Sequence, residues 1–149
     1  RRPNLEPKRE LLAVVLLQSP EARQWLLEEE WRRRLDTEPD GDVIEAILRG
    51  ARLLDEAETA RSFLTQLPAD MEALVVSLLE KRSPENPLML AKECWDELER
   101  RRTRRKIEEA KARQRAPGLP LAEVAALHQQ ILDLQSRLSD IARPFSLSP

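Results

Sequence analysis

The side chains able to do chemistry are few in this sequence, and their spacing argues against a catalytic centre. There is one histidine, His128, and one cysteine, Cys94. Separated by more than thirty positions, they do not supply the three or four ligands of an ordinary zinc site. Carboxylates are abundant and come in runs such as Glu28-Glu29-Glu30 and Glu108-Glu109. On charged helices such runs are usually solvated surface, so a two-carboxylate hydrolase has no particular support. No serine sits in a nucleophile-elbow motif, and the 3 glycines are too scattered to form a phosphate-cradling loop. The chain therefore reads as non-enzymatic, with no cofactor and no metal.

What remains is charge and apolar periodicity. Between Arg100 and Arg115 nine basic residues stand against Glu108 and Glu109, a net +7 in a chain whose total is −2, which leaves −9 elsewhere. Arg101, Arg102, Arg104, Arg105 and Lys106 are a candidate patch for nucleic-acid phosphates or for an acidic protein tail. No aromatic residue is interleaved for base stacking, and a solvated face paired with Glu97 and Glu99 is the plainer reading. Farther on, Val124, Leu127, Ile131, Leu134, Leu138 and Ile141 recur at spacings of 3, 4, 3, 4 and 3, an a/d heptad seam. Leu121 and Leu132 add to it.

The elements that position these residues are helices. Hydrophobic residues make up 41% and charged residues 35% of the chain, Tyr is absent, and Leu, Ala, Glu and Arg dominate. These are strong helix formers, while the β-branched and aromatic residues a sheet needs are scarce. The fold class is all-α. Proline, at 11 residues, punctuates the helices. Residues 1–6 read as the linker remnant of a longer protein. Pro7 opens a first helix to Gln18, Ser19-Pro20-Glu21 opens a second, and Trp31 to Leu35 marks a short third. Asp36 to Gly41 reads as a loop, followed by a buried helix from Val43 to Gly50. Leu53 and Leu54 lead into another segment through Phe63 and Leu67, and Met71 to Leu79 is amphipathic. About five short helices thus form a compact bundle over residues 7–98.

From Leu88 to about Arg115 nothing interrupts a helix, which at about 28 residues and ~1.5 Å per residue would be about 42 Å long and should project. Ala116-Pro117-Gly118-Leu119-Pro120 is a turn, a last helix runs from about Leu121 to Ala142, and residues 144–149 are a tail. Residues 99–143 form an antiparallel helical hairpin that shares the long helix of residues 88–115 with the bundle. The long helix offers the seam only Thr103, Ile107 and Ala110, so the returning helix should keep apolar surface for a partner; alternatively the hairpin folds back on the bundle. One cysteine fits a reducing compartment and no apolar run approaches a membrane span, which places the chain in the cytoplasm.

The order of these segments resembles the C-terminal, helicase-binding domain of bacterial DNA primase (DnaG-type). Glu10-Leu11-Leu12-Ala13 through Gln18-Ser19-Pro20-Glu21 is similar to that family's leucine-rich first helix and the start of its second. Pro84-Glu85-Asn86-Pro87, then Ala91-Lys92-Glu93-Cys94-Trp95-Asp96-Glu97-Leu98-Glu99-Arg100-Arg101-Arg102, resembles its long helix. The resemblance runs from about Leu5 to Ile141. It implies a bundle, a long connecting helix and a terminal hairpin that docks on the N-terminal domain of the replicative helicase (DnaB-type), recruiting primase to the fork and modulating it. Leu127, Ile131, Leu134, Leu138 and Ile141 are then the expected helicase contacts. Some members also bind the acidic tail of single-stranded-DNA-binding protein through a basic pocket; here Lys8 and Arg9 are followed by Glu10, a departure from that pattern. The alternatives are the helicase N-terminal domain itself, a nucleic-acid-binding helical domain, and a self-associating coiled coil.

Overall fold

The computed structural model describes residues 4–50 and 60–141. Among them are eight α-helices and no strand: α1 Pro7–Gln18, α2 Pro20–Glu28, α3 Trp31–Leu35, α4 Gly41–Gly50, α5 Ala60–Thr65, α6 Ala69–Leu79, α7 Pro87–Gln114 and α8 Leu121–Ile141. The fold class is all-α. Part of the helical segment expected after Leu53 lies outside the described residues, as do Ala142 and the tail. The chain divides into two compact units, Arg1–Trp95 and Asp96–Pro149, with the boundary inside α7.

The first unit is built around α1. Leu12, Ala13, Val14, Val15, Leu16 and Leu17 are buried in succession, and a helix apolar on every side belongs at the centre of a fold. Helices α2, α4 and α6 pack against it. Both its ends are tied down. The Glu6 carboxylate accepts the backbone N–H groups of Lys8 and Arg9 at 3.1 and 3.3 Å, and Pro7 occupies a first-turn position where a missing N–H costs nothing. At the other end Ser19 caps two helices. Its N–H donates to the Val15 carbonyl at 2.9 Å, and its hydroxyl accepts from the Ala22 N–H at 3.1 Å to start α2.

Two expectations change here. Leu5 is buried and Glu6 caps α1, so residues 5 and 6 belong to the packed unit and are not linker. Gly41 opens α4 and does not end a loop. A Cβ there would run into the Leu35 carbonyl, so the close approach of α3 to α4 requires glycine. Among the described residues six short helices precede α7, the expected short third helix at Trp31–Leu35 and the segment through Phe63 among them.

The second unit holds the remainder of α7, the turn and α8. Gly118 turns the chain with φ +78°, a conformation that costs a side-chain-bearing residue energy. The Pro120 carbonyl then accepts from Glu123 and Val124 at 3.0 and 3.1 Å to begin α8.

Candidate functional site

The seam of α8 meets α7 through a small apolar cluster of Ile107, Ala110, Leu127, Ile131 and Leu134, with Leu119 and Leu138 packed at its margins. Leu127, Ile131 and Leu134 are only 6%, 6% and 8% exposed, whereas Leu138 and Ile141 are half-buried. Burial thus divides the expected docking stripe. Three of its five residues hold the hairpin together and do not face solvent. One isoleucine and one alanine on α7, beside the buried Thr103, suffice to cover the middle of the seam but not its ends, where Val124, Leu138 and Ile141 remain half-exposed.

Leu121 and Leu132 do not join the seam. They are 85% and 44% exposed and share an outer stripe with the exposed Ala125 and His128, positions that recur at i, i+4, i+7 and i+11 on one helix face. The sequence carried this signal. Leu132 follows Ile131 directly, and adjacent positions on a helix point about 100° apart. Beside the seam Ala126, Gln129, Gln130, Asp133, Leu134 and Arg137 line a shallow depression, edged by the Gln129 amide donating to Asp133 at 3.0 Å.

The basic run does not make one cationic face. It winds around α7, and much of it is paired along the helix. Arg100 donates to Glu97 at 3.1 Å and to the Ile141 carbonyl at 3.2 Å. Arg101 and Arg104 stand 3.5 and 4.0 Å from the same Glu97 carboxylate, and Arg102 stands 3.8 Å from Glu99. Partial burial alone would raise the Glu97 carboxyl, but the Arg100 hydrogen bond and the charges of Arg100, Arg101 and Arg104 outweigh it and hold Glu97 below the usual carboxylate range. Arg101 and Arg102 are half-buried, whereas Arg104, Arg105 and Lys106 are exposed. The exposed part of the expected patch is those three, with Glu108 and Glu109 one helical turn on. In the first unit Arg9, one of the two cations considered for an acidic tail, is committed to the buried Glu38 at 2.9–3.0 Å.

The reactive side chains stay apart. Cys94 is buried, and burial pushes its thiol up to about 11, so it stays protonated and unreactive at neutral pH. His128 is exposed on α8. Among the described residues no group of three His, Cys, Asp or Glu side chains could hold a metal ion, and no helix is long and apolar enough to cross a membrane. Compared with known proteins, the chain matches no family model, no curated protein and no solved structure.

Proposed function

We propose that this chain is a non-catalytic interaction module of the kind that ends bacterial DNA primases, and that its hairpin docks on the N-terminal domain of the replicative helicase in the cytoplasm. The observation that carries the proposal is the imbalance across the hairpin. Helix α8 bears more large apolar residues than α7 covers, with Leu121 and Leu132 exposed and Val124, Leu138 and Ile141 half-covered. Amphipathic helices of this kind bind by laying apolar anchors, spaced three or four residues apart, into a groove. The order of segments, short helices and then a 28-residue helix leading into the hairpin, agrees with the resemblance drawn from the residues. In this role the chain recruits primase to the fork and modulates it, while primer synthesis belongs to other domains of the parent enzyme.

The test is calorimetric titration of the whole chain, and of a version ending at Arg115, against the helicase N-terminal domain from the same genome. Saturable binding by the whole chain that disappears on truncation is expected. Equal binding by both would move the site to the first unit, and no binding by either would overturn the proposal.

A further inference from the structure

The hairpin hides the residues best suited to be anchors. Leu127, Ile131 and Leu134 occupy the centre of the α8 heptad pattern, yet they are covered by α7. The cover is thin. Of the residues α7 contributes to the apolar cluster, only Ile107 is large. Helices α2, α4 and α6 each approach α1 closely along the backbone, whereas α7 and α8 keep a wider spacing. At the far end of the seam the Arg100 guanidinium, braced by Glu97, holds the Ile141 carbonyl. At the near end the chain turns at Gly118, where nothing stands within 4 Å of the position a side chain would take. A helix with a rich apolar face, a poor partner for it, a polar latch at one end and an open glycine turn at the other has the parts of a releasable closure.

We propose that the α7–α8 hairpin is an autoinhibitory closure, and that α8 releases its seam from α7 so that Leu127, Ile131 and Leu134 enter the partner's apolar groove. The identity of the acceptor rests on the helicase-docking reading; the release does not. In the closed state the chain hides the anchors from water and from wrong partners. A groove lined with larger apolar residues than Ile107 and Ala110 draws α8 out by offering its seam better packing, since a ligand shifts an equilibrium only through its preference for one state.

Native-state hydrogen exchange of the intact chain tests the release without any partner. Backbone amides of residues 124–138 in α8 should exchange at least a hundredfold faster than those of residues 12–17 in α1. A reducible bismaleimide crosslink between Arg104→Cys and Gln135→Cys, exposed positions that flank the seam on α7 and α8, placed in a Cys94→Ala background, should slow the α8 amides at least tenfold relative to the same variant reduced. Protection in α8 equal to that in α1 would overturn the closure. The second measurement is titration of the helicase N-terminal domain with the crosslinked and reduced forms of that variant, which keeps all three anchors. At least a tenfold loss of affinity on crosslinking, reversed by reducing the linker, is expected. A locked hairpin that binds as tightly as the reduced one would overturn release as the route to docking and assign the contact to the outer stripe of Leu121 and Leu132. A chain that opens in exchange yet binds no helicase domain would disprove the acceptor and leave the closure standing.

Discussion

At the scale of single residues, the fold depends on charged groups placed where composition suggests only oil. Arg23 is 5% exposed inside the bundle, and its Nη1 donates to the carbonyls of Leu16 and Leu17 at 2.9 and 3.3 Å. These carbonyls lie in the last turn of α1, where no later amide of the helix is available, and α1 is too deeply buried for water to replace the guanidinium. Substituting Arg23→Met keeps the volume and removes the donor. Because an orphaned buried acceptor costs about 1–3 kcal/mol, the variant should lose roughly 3 kcal/mol in urea denaturation followed by tryptophan fluorescence. A loss below about 1 kcal/mol would mean that the guanidinium supports α1 by packing alone. Nothing local in the sequence marks this arginine. It sits at the fourth position of α2, where a solvated side chain is the ordinary expectation, and only the antecedent turn at Ser19 folds it back on α1.

At the scale of elements, helix starts were legible because they are local. Pro7, Pro20, Pro87 and Pro120 stand within one residue of the starts of α1, α2, α7 and α8, since proline is tolerated where a helix needs no N–H. The seam was legible as a pattern but its occupancy was not. Periodicity tells which residues share a face, whereas burial depends on a second helix whose spacing is fixed by a distant turn. The latch at the end of α8 was missed for the same reason, because Arg100 and Ile141 are 41 residues apart. That latch has a definite pH dependence. Glu97 has its folded pKa lowered below the ordinary value of 4.5, so its stabilising effect is fully present above pH 4.5 and is lost as pH falls through the lower, folded value. The groups facing it are Arg100, Arg101 and Arg104, which keep their charge throughout. The effect is small at this partly exposed site, and it reaches the last turn of α8 through Arg100, which holds the Ile141 carbonyl. Exchange protection of residues 138–141 should therefore fall on acidification below pH 4.5 in the wild type. In Glu97→Gln it should be lower at neutral pH and nearly flat across the same range; an unchanged acid profile in that variant would detach the carboxylate from the latch.

At the scale of the molecule, the two compact units differ in how they are made. The first surrounds a helix buried on every side from Leu12 to Leu17 with others and binds its polar groups internally, as Arg9–Glu38, Arg23 and Ser19 show. The second is two helices in one layer, whose apolar cluster consists of five buried side chains. Helices packed along one edge gain little burial per residue ordered, so the second unit should be the first to unfold. The chain supplies its own reporters for this comparison. All three tryptophans, Trp25, Trp31 and Trp95, lie in the first unit, and there is no tyrosine, so fluorescence follows that unit alone while far-UV ellipticity follows every helix. In urea, ellipticity should begin to fall at lower concentration than fluorescence changes. Ile131→Ala, which removes part of the seam at a cost of roughly 2–5 kcal/mol, should widen the gap by moving the ellipticity curve and leaving the fluorescence midpoint in place. Coincident curves in both proteins would show a single cooperative transition. They would also remove the basis for a hairpin that opens while the bundle stays folded, since the continuous helix α7 would then couple the seam to the core around α1.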